Sequence, residues 1–262
     1  METKTEIESN ASKPKRTTSE VGHTKNLTNF DNLISKILGY GATYNPSKAS
    51  IKATALQALS ASAKNSMAAI NLAMPVYSNA VAAREVAFNP LNKLAARILY
   101  AIEATDTAPQ VIDNVKSLVR KIQGKRITPK KTDEQKEVLK TKGVIVKEIS
   151  SSHTSYDNRA ENLDQLIKLL ASNALYIPNE ADLKLAALTA YCTDLKAKNS
   201  AVIAAETPLS NARIARNDVL YKAKIGLVDV ASDVKSYIKS IYGPSSPQYK
   251  QVSKIPFKTI KS

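Results

Sequence analysis

The chain has 262 residues, 43% of them hydrophobic, which is enough apolar material for a sizeable core. Seven glycines and no tryptophan, set in a chain rich in Ala, Leu, Lys and Ile, favour helix over sheet. One cysteine excludes an internal disulfide, no apolar run approaches the roughly 20 residues of a membrane span, and a net charge of +15 keeps an anionic partner open.

Residues 1–26 are polar, offer little to bury and lack the apolar core of a signal peptide, so a disordered tail is expected. Leu33, Ile34, Ile37 and Leu38 then predict a short helix at about Phe30–Gly39, ended by Gly39, Gly41 and Asn45-Pro46. A long helix follows at about Ser47–Met74, with Ile51, Ala55, Leu59, Ala63 and Ile70 on one face and Leu56 and Met67 widening it. Pro75 lacks the N–H that would continue that helix, so a break or sharp kink is expected there. Further helices are expected at Val76–Phe88, at Leu91–Ala104 after the interruption Asn89-Pro90, and at Ala108–Gln123, stopped by Gly124.

Lys125–Lys142 reads as an exposed basic linker with a helical stretch at Asp133–Leu139. Val144-Ile145-Val146 after Gly143 is a strand signal. Beyond the join at Ser150–Ser155, helices are predicted at Asp157–Ser172, Glu180–Glu206 and Leu209–Tyr242, with a break at Pro208 and a weak point at Gly226. Gln251–Phe257 reads as extended and is a candidate to pair with Gly143–Ile149 in a two-stranded ribbon.

The stretch Tyr44–Arg84 returns at Tyr176–Arg216, displaced by 132 residues without a gap. Tyr44, Pro46, Lys52, Leu56 and Lys64 answer to Tyr176, Pro178, Lys184, Leu188 and Lys196, and Asn79 and Arg84 answer to Asn211 and Arg216. Preservation of Tyr, Pro, Asn and Arg together points to tandem duplication of one helical unit. Val115–Gly124 similarly answers to Val234–Gly243, at an offset of 119. The expected fold is all-α, with tandem duplicated helical-bundle units, Pro-broken long helices and the minor ribbon. Its segments are the tail 1–26, a first unit 27–124, the linker 125–150, a second unit 151–243 and an extended basic tail 244–262.

The positive charge is unevenly placed along the sequence. Arg120–Lys147 carries +7 and Val234–Ser262 carries +6, which leaves the helical repeats close to neutral. Arg120, Lys121, Lys125, Arg126, Lys130 and Lys131 in the first cluster, and Lys250, Lys254 and Lys258 in the second, are candidate contacts to a nucleic-acid backbone. Tyr242, Tyr249 and Phe257 interleave the second cluster with rings able to stack on bases. The bland alternative is a linker and tail kept soluble by Lys, with no docking motif such as a helix-turn-helix.

No spacing of His, Cys, Asp or Glu suits a metal, and no Gly-rich loop suits a phosphate. Ser151, His153 and Asp157 lie close in sequence, but nothing suggests the oxyanion hole and fixed geometry of a triad. His23 and His153 are expected on the solvated tail and a solvated loop, and Cys192 half-buried in a helix. Arg213 and Arg216 share a helix face and could clamp an anion or pair with acids. The recurrence of Asn79 and Arg84 as Asn211 and Arg216 favours a shared structural role, fixing the register of the hairpin.

Tyr176–Leu183, Lys198–Val202, Pro208–Arg213 and Arg120–Arg126 together resemble a family of all-helical proteins of Bacteroidota bacteria whose members carry no assigned function. The resemblance covers about residues 27–260 and implies a helical fold and a bacterial cytoplasmic setting. The expectation for function is a soluble, non-enzymatic helical interaction or structural protein. It would act through a protein partner or self-association, with no cofactor and no membrane. The alternative is a nucleic-acid-binding protein without sequence specificity.

Overall fold

A computed structural model describes residues 21–125, 132–141 and 155–259. Among the described residues the chain is helical and has no strand. The helices are α1 (Val21–Gly39), α2 (Ala53–Phe88), α3 (Leu91–Glu103), α4 (Pro109–Gln123), α5 (Asp133–Thr141), α6 (Tyr156–Ala171), α7 (Leu185–Tyr221), α8 (Leu227–Tyr242) and α9 (Pro247–Ser253). Short 3-10 turns at Ala49–Ile51 and Ala181–Leu183 precede the two long helices α2 and α7.

Local chemistry accounts for most of the ends. Pro109 sits in the first turn of α4, where its missing N–H costs nothing, and Gly124 closes that helix at φ 68°. Ser246 caps α9 by accepting from the Tyr249 N–H, again with a proline in the first turn. At Gly226, before α8, a Cβ would lie 2.6 Å from the Lys222 amide nitrogen, so only glycine allows that close passage.

Several expectations are corrected. α2 runs through Pro75 and α7 through Pro208, with no break. Both prolines lie on the solvent side, where water can take over the carbonyl each one frees. α1 starts at Val21, inside the stretch expected to be disordered, and buries His23 and Asn26. Gln251–Ser253 is helical rather than extended. The proposed partner strand Gly143–Ile149 lies outside the described residues, as do His153, Arg126, Lys130 and Lys131.

The chain forms two compact units, one of residues 1–73 with 209–262 and one of residues 74–208. The first is built from α1, the start of α2, the end of α7, α8 and α9. Its core holds Phe30, Leu33 and Ile37 from α1, Leu56 and Ala63 from α2, Leu220 from α7, and Val230, Val234 and Ile238 from α8. The second is built from the end of α2, α3, α4, α6 and the start of α7. Its core holds Phe88, Ile98, Ile102, Val115, Val119, Leu163, Leu166, Leu188 and Leu195. The division falls beside each proline, not at the sequence boundary between the recurring stretches.

The long helices share an inner seam with spacings of four and three residues. In α2 it runs Leu56, Ser60, Ala63, Met67, Ile70, Met74, Tyr77, Val81, Arg84 and Phe88, and none of the ten is exposed. The seam of α7 lies 132 residues on and runs from Leu188 to Leu220, exposed only at Glu206 and Arg213. A 3.5-residue repeat of this length is a coiled-coil signature. It centres on Leu56, Ser60 and Ala63, whereas Ala55 and Leu59, expected on the inner face, are half-buried.

The same bonds recur at the start of each long helix. Tyr44 Oη donates to the Ile51 carbonyl at 2.6 Å, and Tyr176 Oη donates to the Leu183 carbonyl at 2.9 Å. Lys64 pairs with Asp31 at 2.9 Å, and Lys196 pairs with Asp164 at 3.2 Å. Each tyrosine pins the loop that feeds its helix, and its hydroxyl is buried.

That burial gives a pH prediction. Burial, then the Glu180 and Asp182 carboxylates, push Tyr176 up to about 12; burial does the same for Tyr191, to about 12, and raises Tyr44. The folded state holds these protons after the unfolded chain, whose tyrosines titrate near 10, has released them. Their contribution is therefore complete below about pH 10 and declines as pH rises towards 12. Melting temperature followed against pH should fall across that window, and less steeply in a Tyr176→Phe, Tyr191→Phe chain than in the wild type. Parallel slopes would show that these hydroxyls are not held neutral.

Candidate functional site

The two units differ sharply in charge. Residues 21–73 and 209–259 contain fourteen Lys and Arg against four Asp and Glu, a net +10. The described residues of the other unit contain fourteen of each, a net charge of zero. Counted along the sequence the helical repeats look neutral; counted by what folds together, one unit is strongly basic.

On the basic unit, α1, α8 and the C-terminal segment bring Lys and aromatic residues together. Lys250, Lys254 and Lys258 are exposed. Lys239 Nζ lies 5.8 Å from the Tyr249 ring and Lys235 Nζ lies 5.0 Å from the Phe257 ring. Tyr40 and Tyr242 meet at 5.4 Å, and the Tyr40 hydroxyl donates to the Gln248 carbonyl. Burial lowers the pKa of Lys235, and burial together with Tyr242 raises that of Tyr40. Tyr242, Tyr249 and Phe257 are half-buried, so these rings pack as much as they display.

Arg120, Lys121 and Lys125 belong to the neutral unit, at the end of α4. Lys121 and Lys125 are exposed, while Arg120 is half-buried and its Nε has no partner among the described residues. The two basic clusters of the sequence thus fall in different units.

In the neutral unit two aromatic rings held between two guanidinium groups join α2 and α6. The Arg84 guanidinium lies 4.1 Å over the Tyr156 ring, Tyr156 meets Phe88 edge-on at 4.8 Å, and the Arg159 guanidinium lies 5.6 Å over Phe88. Arg159 Nε donates to the Ile122 carbonyl at 3.1 Å, and its terminal nitrogen donates to Asn92 Oδ1 at 2.9 Å. A shallow recess of about 440 Å³ opens here, lined by Glu85, Phe88, Asn89, Asn92, Tyr156 and Arg159. Tyr156 and Arg159 carry no periodic signal and were not foreseen; their roles exist only between helices.

The recurring polar residues take different surroundings. Asn79 and Asn211 are exposed. Arg84 is half-buried on Tyr156, whereas Arg216 is buried in the basic unit and donates from Nε and a terminal nitrogen to Asn217 Oδ1. His23, expected on a solvated tail, is buried with Nδ1 2.7 Å from Tyr221 Oη. Cys192 is fully buried, its thiol pushed up by burial and directed at the Ala160 carbonyl.

Among the described residues no group of three or more His, Cys, Asp or Glu could hold a metal ion. No described helix is long and apolar enough to cross a membrane. No family model, curated protein or solved structure matches the chain.

Arg159 ties α6 to the Ile122 carbonyl, to Asn92 and to the Phe88 ring. Its replacement by Ala removes two hydrogen bonds and a cation over Phe88, and leaves the Ile122 carbonyl without its donor. The expected cost is about 1–3 kcal/mol in denaturant unfolding, with Arg159→Lys recovering only part of it. An Arg159→Ala chain as stable as the wild type would show that this cluster is decorative.

Proposed function

We propose that this protein is a non-enzymatic helical interaction protein that associates with a second copy of itself through the outer face of α2. The observation that carries this reading is a second seam on that helix. Val76, Asn79, Ala83 and Val86 follow spacings of three, four and three, and all four are exposed, Val86 at 74%. Such spacing faces one side of a helix, and apolar residues flanking a single Asn are the pattern of a helix that pairs with its like. Asn79 then has a role of its own, setting register at some expense of stability.

The paired Tyr44 and Tyr176 bonds and the paired Lys64 and Lys196 bridges support tandem duplication as the origin of the chain. Arg84 and Arg216 are read as seam residues that help to fix helix register. The resemblance to bacterial all-helical proteins supports a bacterial cytoplasmic setting.

A second reading, recognition of a nucleic-acid backbone, is favoured by one observation: the net +10 of the described residues of one unit against zero in those of the other. Lys250, Lys254 and Lys258 are its exposed contacts, with Lys121, Lys125, Arg126, Lys130 and Lys131 as a second group.

Sedimentation across a concentration series tests the first reading. The wild type should associate, and Val76→Glu with Val86→Glu should stay monomeric at unchanged helicity. A wild type that is monomeric throughout sinks it. A salt titration of binding to mixed DNA and RNA tests the second. Binding should weaken steeply with salt, and Lys250→Gln with Lys254→Gln should reduce the logarithmic slope by about 2. No binding at low salt leaves the lysines as solubilising charges.

A further inference from the structure

In the basic unit the segment after α9 is held the way a domain holds a peptide. Beyond α9, residues 256–259 are neither helix nor strand. The main chain of this stretch is bonded by side chains of two helices. Lys235 Nζ on α8 donates to the Ile255 carbonyl at 2.5 Å. On α1, Asn29 Nδ2 donates to the Pro256 carbonyl at 2.6 Å. Asn26, itself buried, donates to the Lys258 carbonyl at 2.7 Å and accepts from the Lys258 N–H at 3.1 Å. Main-chain bonds of this kind hold an extended segment whatever its sequence. Selectivity comes from the two side chains that point inward. Ile255 is buried, and Phe257 meets Phe30 edge-on at 6.5 Å beneath the Lys235 ammonium. Main-chain bonds for affinity and alternate side-chain pockets for selectivity are the two components of extended-peptide recognition.

We propose that the α1/α8 groove is a peptide-binding site, filled in cis by Ile255-Pro256-Phe257-Lys258 and open to exchange with an extended segment of the same pattern from another polypeptide. The pattern is a branched apolar residue, proline, an aromatic ring and a main-chain N–H two residues after the proline. The seated segment itself identifies the occupant: the groove is built to the dimensions and bonds of this sequence. Tethering by α9 gives the cis segment a high effective concentration, so a free peptide competes poorly with it until the cis contact is weakened.

The full chain tests this, with a fluorescent peptide of sequence Lys254–Ser262 read by anisotropy. Phe257→Ala in the chain empties the aromatic pocket and leaves every groove residue in place. That chain should bind the peptide saturably and about tenfold or more tighter than the wild type does. An unlabelled peptide should displace it, and one with Ala in place of its phenylalanine should not. If the Phe257→Ala chain loses helicity, Lys258→Pro takes its place, since it removes one N–H at an exposed residue; the same increase is expected. Uptake no greater than by the wild type overturns the proposal. So does displacement by the Ala-containing peptide equal to that by the parent, which marks attraction between charges alone.

Discussion

The structure depends on keeping one side of each long helix buried at a period of 3.5 residues. A straight α-helix turns such a stripe about 20° per heptad, so an inward face placed by a 3.6-residue period drifts off the true one. Of the expected face, Ala63 and Ile70, with Leu56 and Met67 beside them, lie on the seam, while Ala55 and Leu59 fall to its side and are half-buried. The seam carries Leu56 at one end and Phe88 at the other, and both are buried. Those ends then enter two different cores. Leu56 is packed with α1 and α8, and Phe88 with α3, α4 and α6; Leu188 and Leu220 do the same for α7 in the reverse order.

This has a consequence for what counts as a unit. Each compact body takes the first part of one recurring stretch and the second part of the other. The short helices α1 and α6 therefore stand in equivalent places, and so do α8 and α4, yet no compact body is a contiguous repeat. The charge follows the same division. A count along the sequence spreads basic residues over a connector and a tail. A count by compact body, taken over the described residues, puts ten net charges on one and none on the other. Electrostatic attraction acts on what is close in space, so only the second count bears on partners.

Helix content and most helix ends were legible because their causes are local. Asn89-Pro90, the start of α3 after it and the glycine closing α4 all read directly from turn chemistry. Pro75 and Pro208 did not, because the penalty for a proline inside a helix depends on whether the freed carbonyl meets water, and exposure is a tertiary fact. α9 was missed although Ser246-Pro247 is a cap signal; the basic, aromatic tail after it suggested an extended chain. The start of α1 was missed because its buried residues include His23 and Asn26, whose partners Tyr221 and Lys258 lie some 200 residues away. Of the candidate site, the lysines were legible as composition. Asn26, Asn29, Tyr156 and Arg159 were not, since each acts across elements.

Arg84 and Arg216 show how far recurrence in sequence can carry an argument about role. They occupy equivalent places in equivalent seams, and both keep a guanidinium where an aliphatic residue would suffice for packing. One lies over an aromatic ring; the other is buried and bonded to the amide of its neighbour Asn217. The contacts just named do not by themselves explain the common residue. A common position can: near the end of a seam, a long side chain lays its methylenes along the apolar face and carries its charge to whatever the next element offers. Tyr156 is offered by α6 in one unit. In the other the arginine bonds to Asn217, on α7 itself. The position recurs in both seams, and the contacts named at each differ.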